Sequence, residues 1–204
     1  ALPAGVSFEQ ATFIEPVNTI VKAIQKARVA AGETVLVIGC GPVGLLLLMV
    51  SHLEGAKLYT SDPMAERRAK SLQLGASASF DPTSGKLVQE IQARTEGRGA
   101  DAVLVAVPHP AVVIEALAAA RPGGRVLLFA ANDPVSRIEF PAAAVGIDEK
   151  EIMGSYSAAV DIQEPAAALA AAYRRRLLHL AARDLTGVAT VDVVGEELAD
   201  IAAA

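Results

Sequence analysis

Thr34-Val35-Leu36-Val37-Ile38-Gly39-Cys40-Gly41-Pro42-Val43-Gly44 carries the strongest local signal in the chain. Five apolar or β-branched residues without alternation read as a strand covered on both faces, the pattern of a parallel sheet sandwiched by helices. A G-x-G-x-x-G follows at once. Each glycine has a physical task there. Gly39 lets the chain turn tightly out of the strand, Gly41 lets backbone approach a bound group closely, and Gly44 lets the next helix pack close. Pro42 suits a first helical turn, where its missing N–H is no loss. The helix expected over 42–54 then turns its free N–H groups and positive dipole end toward the loop, an arrangement that binds phosphate. Val43 belongs to the same cradle.

Working outward, strand-like runs recur at 34–38, 57–61, 78–80, 101–107, 125–130 and 151–156, with helix-like runs over 42–54, 63–74, 85–95 and 111–120. A further helix is expected from Phe8 to Arg28, and another from Asp161 to Leu180. Gly55, Gly75, Gly97 and Gly99 fall where left-handed helix ends are needed, and Pro122-Gly123-Gly124 reads as the turn into the fifth strand. This alternation predicts an α/β fold, a doubly wound parallel sheet of six strands in the order 3-2-1-4-5-6 with helices on both faces. The weak third run is expected at an edge. The division expected is a leading helical segment over 1–30, a dinucleotide-binding Rossmann domain over 31–180, and an extension over 181–204. A strand from Val188 to Val194 and the start of a helix from Glu196 to Ala204 fill that extension.

Asp62 ends the second strand, 18 residues beyond Gly44. An acid near this spacing accepts hydrogen bonds from the adenosine ribose hydroxyls of a dinucleotide. It also suits a helix N-cap, and the two tasks are compatible. A carboxylate repels a 2′-phosphate, so the expected cofactor is NAD. Arg67 and Arg68 follow closely and keep NADP as the alternative.

With 204 residues, 52% hydrophobic and 20% charged, the chain suits one globular domain with a sizeable core. A net charge of -5 argues against nucleic acid and against an anionic membrane surface. Arg174-Arg175-Arg176 is the only dense basic run and reads as a solvated face or helix end. The longest apolar run, Val43 to Leu53, is interrupted by Gly44, Ser51 and His52 and is too short to span a bilayer. A single cysteine, Cys40, excludes an internal disulfide and a cysteine-rich zinc cage and fits a reducing, cytoplasmic setting. A chain that opens at Ala1 without methionine and stops in an alanine tail reads as a segment of a longer protein.

Leu2-Pro3-Ala4-Gly5-Val6-Ser7-Phe8, Ile14-Glu15-Pro16 and Gly32-Glu33-Thr34-Val35-Leu36-Val37-Ile38-Gly39 resemble the medium-chain dehydrogenase/reductase family, nearest its zinc-dependent alcohol, threonine and sorbitol dehydrogenases. Arg98-Gly99-Ala100-Asp101, Arg121-Pro122-Gly123-Gly124-Arg125 and Gly154-Ser155-Tyr156-Ser157 extend the likeness, which covers about residues 2 to 165. The resemblance implies hydride transfer between a small alcohol or carbonyl substrate and NAD, assisted by zinc in a full-length parent enzyme. It implies that Glu15 holds a zinc-ligand position, usable only with a catalytic domain this chain lacks. It also places Thr19, one helical turn on, against the nicotinamide, and Ala106, Val107, Phe129 and Ala130 around its ring and carboxamide. The family's other zinc ligands, a cysteine and a Gly-His-Glu motif, have no counterpart here, and one carboxylate cannot hold a catalytic zinc. No catalytic residue is therefore expected in the chain itself, which alone should be inactive. The resemblance further implies a homodimer or tetramer formed through edge strand 151–156.

Other candidates are weak. Cys40 reads as small filler rather than a redox group. His109, in Pro108-His109-Pro110, reads as a loop histidine without a partner that could reach nicotinamide or ribose. His52 and His179 suggest no shared site. Three readings remain open: the cofactor domain of a zinc-dependent dehydrogenase, a zinc-independent quinone or enoyl reductase of the same superfamily, and a non-catalytic NAD(H)-binding module. Glu15-Pro16 favours the first.

Overall fold

The computed structural model describes residues 12–131 and 133–157. The chain divides into two compact units, Ala23–Tyr156 and the pair Ala1–Lys22 with Ser157–Ala204. Of the second, residues 12–22 and 157 are described. The helix expected from Asp161 to Leu180, the Arg174-Arg175-Arg176 run, His179 and all of 181–204 lie outside the described residues.

The first helix, α1 (Ile14–Ala27), begins in one unit and ends in the other. Beyond it run β1 (Thr34–Ile38), α2 (Pro42–Leu53), β2 (Lys57–Ser61), α3 (Ala65–Gln73), β3 (Ala78–Phe80), a 3-10 turn (Pro82–Ser84), α4 (Leu87–Arg94) and β4 (Ala100–Val105). Then come α5 (Pro110–Ala119), β5 (Ala120–Leu128), the short α6 (Ala143–Gly146) and β6 (Glu151–Gly154). The six strands form one sheet in the order β3-β2-β1-β4-β5-β6, every neighbouring pair parallel. This is the expected doubly wound sheet, with the short β3 at one edge as anticipated.

The central strands explain the unbroken apolar runs. Every residue of β1 and β4 is buried, because helices cover both faces of the sheet. One core cluster joins Leu36 and Ile38 of β1, Tyr59 of β2 and Val103 and Val105 of β4 to Leu87 and Ile91 of α4. Polar residues are also buried where their hydroxyls meet. Thr60 Oγ1 lies 2.7 Å from Ser71 Oγ of α3 and 2.6 Å from Ser79 Oγ of β3, and Ser71 donates to the Arg68 carbonyl. These bonds pin α3 to the sheet.

Several boundaries differ from the sequence expectation, among them the ends of β4 at Val105 and β5 at Leu128, the start of α3, the start of β5 and the end of β6. Pro63 does not open α3. The Asp62 carboxylate accepts the Met64 amide at 2.8 Å, a local turn that takes up Pro63 and delays the helix to Ala65. The Pro122-Gly123-Gly124 turn lies inside β5 rather than ahead of it: the register passes over 121–124 in going from Ala100↔Ala120 to Ala102↔Arg125, and Gly123 takes φ +67°. Gly124 is required there, since a Cβ would stand 2.7 Å from the Arg121 carbonyl oxygen. The sixth strand ends at Gly154 rather than Tyr156.

The amino-terminal edge of the sheet is closed by charge. Arg125, 6% exposed, donates to the carbonyls of Ala27 and Arg28 at 2.8 and 2.7 Å, capping the carboxyl end of α1, and pairs with Glu33. Beside it Asp101 accepts Arg121 Nε at 2.5 Å and the Thr34 amide at 2.8 Å, with Arg98 at 3.8 Å. Burial acts to raise the Asp101 carboxyl. The Arg121 and Thr34 hydrogen bonds and the two arginine charges outweigh it and hold the group below its ordinary value.

Candidate dinucleotide site

The glycine loop lies at the opposite, carboxyl-terminal edge, between β1 and α2. Its three glycines are glycines for three different reasons. Gly39 adopts φ +95°, where an added Cβ would also stand 2.6 Å from Val107 Cγ2. At Gly44 a Cβ would overlap the Gly39 carbonyl oxygen at 1.7 Å, so only glycine lets α2 begin this close to the loop. Gly41 is the opposite case. Its φ of -70° suits any residue, and a Cβ would meet nothing within 4 Å. The described residues leave the space over Gly41 empty, as a cradle for an incoming group requires.

Gly41 is also the N-cap of α2 and supplies no side-chain acceptor, with Pro42 at the first helical position. The helix N-terminus is thereby left without a side-chain cap, a setting suited to an anion. Val43 beside it is 38% exposed.

Asp62 follows the last residue of β2 and is 2% exposed. Its Oδ2 accepts the Cys40 amide at 2.8 Å, and its Oδ1 accepts that of Met64. It does not cap α3, whose N-cap is Met64. Arg67 stands 3.7 Å from Oδ2 with its side chain half exposed. Arg68 is engaged elsewhere, donating to the carbonyls of Asp62 and Pro63 and pairing with Asp81 at 3.3 Å. Of the two arginines the sequence proposed, Arg67 is the one beside the carboxylate.

The remaining positions sit on the same edge. Ala106 and Val107 follow the end of β4, and the Ala106 amide donates to Ile38 at the end of β1. Phe129 and Ala130 follow β5, both donating to the Val105 carbonyl. Asp62, the glycine loop and these two strand ends are thus gathered along one border of the sheet. The sequence did not single out two buried hydroxyls on this border. Ser61 Oγ, at the end of β2, and Ser155 Oγ, just past β6, have no hydrogen-bond partner among the described residues. A serine ending an apolar strand was the signal available.

Glu15 and Thr19 belong to the other unit and pair with each other. The Thr19 hydroxyl lies 2.8 Å from Glu15 Oε1 and 3.0 Å from its carbonyl oxygen. Among the described residues no group of three or more His, Cys, Asp or Glu could hold a metal ion, so these residues do not by themselves form a zinc site. Cys40 is buried, and burial pushes its thiol above its ordinary value, with the Thr60 hydroxyl opposing and the Asp62 charge adding to the rise. A raised thiol pKa lowers the thiolate fraction available for redox chemistry. His109 is not partnerless. Its Nδ1 accepts the Ala111 amide at 3.2 Å and caps α5.

A buried parallel strand, a glycine loop at a helix start and an acid ending the neighbouring strand define a nucleotide-binding α/β domain. A sequence model of the family described as zinc-binding dehydrogenase matches residues 42–172, and the chain belongs to that family. It is 29% identical over 160 residues to D-xylulose reductase A of Aspergillus oryzae, covering 76% of this chain and 44% of that protein. It is 32% identical over 124 residues to L-threonine 3-dehydrogenase of Symbiobacterium thermophilum, covering 60% and 35%. The crystal structure of alcohol dehydrogenase TADH from Thermus sp. ATN1 superposes with a TM-score of 0.72 at 29% identity, covering 89% of this chain and 49% of that one. The chain thus spans less than half the length of these relatives. No helix of the described residues is long and apolar enough to cross a membrane.

Proposed function

We propose that the chain is the nicotinamide-dinucleotide-binding part of a zinc-dependent alcohol dehydrogenase of the polyol or threonine type. In the full-length enzyme it holds NAD while a hydride passes between an alcohol and the nicotinamide. The observation that carries this reading is the unfilled space over Gly41 at the uncapped start of α2, with Asp62 across the loop. Gly39, Gly41, Pro42, Val43 and Gly44 take the pyrophosphate, and Asp62 takes the adenosine ribose. Ala106, Val107, Phe129 and Ala130 line the nicotinamide end, and the family resemblance assigns Thr19 to the nicotinamide as well. NAD is favoured because Asp62 would repel a 2′-phosphate, and Arg67 is the residue that would accept one.

Zinc in such enzymes polarises the alcohol oxygen. Glu15 is the family's ligand position here, and the others would come from beyond the described residues, so no step is assigned to the metal. The family match and Glu15-Pro16 favour the zinc-dependent branch over the quinone or enoyl reductases. β6 has no strand on its outer side among the described residues, and Ile147 and Tyr156 beside it are 79% and 78% exposed. Pairing of β6 with a second copy would give a homodimer or tetramer. A cytoplasmic setting fits a sequence whose single cysteine can form no internal disulfide.

The test is titration of the folded chain with NADH, followed by nicotinamide fluorescence and calorimetry. Saturable binding with a blue-shifted emission is expected, tighter than for NADPH. A flat titration of a folded sample would remove the site. Binding without alcohol oxidation on adding zinc is expected of the isolated chain.

A further inference from the structure

We propose that Asp62 is a positioning residue that holds the glycine loop in its binding shape before any ligand arrives, independently of contact with ribose. The inference rests on the reading of the loop as a phosphate cradle, and deepens it.

A loop between a strand and a helix has few backbone partners of its own. Here two successive amides are tied to the end of β2. Gly39 N donates to the Ser61 carbonyl at 2.7 Å, and Cys40 N to Asp62 Oδ2 at 2.8 Å. The first is a backbone bond that any residue at 61 would provide. The second exists only because position 62 carries a side-chain acceptor, and making it together with the Met64 bond takes both oxygens of a carboxylate. That carboxylate is itself immobilised. Its other oxygen accepts Met64 N, its own amide donates to the Phe80 carbonyl at 3.2 Å, and its carbonyl accepts Arg68. At 2% exposure it is fixed by strands and a turn rather than by solvent.

Capacity decides whether one side chain can do both tasks. An ionised carboxylate offers about four acceptor positions. The two amides use two of them, and two remain for the ribose hydroxyls. Ribose therefore need not displace the Cys40 amide, and the loop stays set while the nucleotide binds. A neutral amide side chain cannot copy this. Asparagine at 62 would turn an N–H group toward Cys40 N or Met64 N, setting donor against donor. The residue after Cys40 is Gly41, over which the empty cradle lies, so loosening Cys40 moves the phosphate site directly.

The experiment uses a nucleotide that Asp62 cannot touch through ribose. Wild type and Asp62→Asn are titrated with ADP and with 2′,3′-dideoxy-ADP, and amide exchange at Cys40 is followed by NMR in ligand-free protein. Asp62→Asn should bind the dideoxy probe about tenfold more weakly than wild type, the size of one lost hydrogen bond to an ionised group. Its Cys40 amide should exchange on the order of 100-fold faster. Equal affinity of both proteins for the dideoxy probe, with Cys40 equally protected, would overturn the proposal and leave Asp62 as a ribose ligand alone. Should neither nucleotide bind wild type, the dinucleotide reading fails while Cys40 exchange still decides the positioning role. Should Asp62→Asn not fold, wild-type exchange decides. A protected Cys40 amide upholds the role, and exchange at the rate of an open loop ends it.

Discussion

The two ends of the same sheet are built on opposite principles. At the amino-terminal edge Arg125, Arg121, Glu33 and Asp101 fill the border with paired charge, and Arg125 satisfies the carbonyls that α1 leaves open. At the carboxyl-terminal edge, among the described residues, the helix start is uncapped, Gly41 faces open space, and two buried hydroxyls lack partners. Both edges come from the same strands, so strand chemistry does not cause the difference. One end spends its polar groups on the fold, and the other leaves them for a ligand. Substitutions at the first should change stability and spare binding, and the reverse should hold at the second.

Gly44 offers the severest challenge to that division, because it serves the fold from within the binding edge. Gly44→Val must displace the Gly39 carbonyl, and a loss of about 3 kcal/mol or more in urea unfolding is expected from overpacking. Wild-type stability would show that α2 can retreat from the loop. Arg125→Met comes next. It strands Glu33 and two helix carbonyls, and should cost about 2–3 kcal/mol with NADH affinity unchanged. An equal loss in affinity would show that the two edges communicate.

Gly41→Ala sharpens the comparison from the other side. Its backbone already suits alanine, so stability should hold or rise by up to about 1 kcal/mol. NADH affinity should nonetheless fall about tenfold as the methyl enters the phosphate space. A fall in stability would mean that the space is not open.

The smallest effect expected is a pH dependence at the amino edge. Asp101 is held below its ordinary value of 3.8 in the folded chain. Its contribution is therefore present above that value and is lost as pH falls through the lower folded value. Asp101→Asn should lose about 1 kcal/mol at neutral pH and fall less steeply than wild type below about pH 4, as read by urea unfolding. Parallel pH profiles would assign the acid sensitivity to other carboxyls.

Much of this was legible in the chain, and what was not shares a cause. The strands 34–38, 57–61 and 78–80 lie where their residues placed them, most plainly 34–38, where burial on both faces leaves a continuous apolar run. Gly39, Gly41 and Gly44 could be assigned from spacing. The displaced start of α3 could not, since Asp62 captures Met64 only once the strand has fixed its carboxylate. Nor could the place of the Pro122-Gly123-Gly124 turn, because only pairing of Ala120 with Ala100 of β4 puts the start of the strand ahead of it. His109 looked unattached until α5 brought the Ala111 amide to its ring.

By itself the sequence determined the sheet, its strand order and the glycine loop, because these depend on local periodicity and on residues that only one backbone shape accepts. Tertiary structure alone decided which polar groups are spent and which are spare. Whether an arginine caps a helix, a carboxylate holds a loop or a serine is left without a partner depends on residues tens of positions apart meeting in space. Arg125 and Ala27 lie 98 positions apart, and no spacing rule reaches that far.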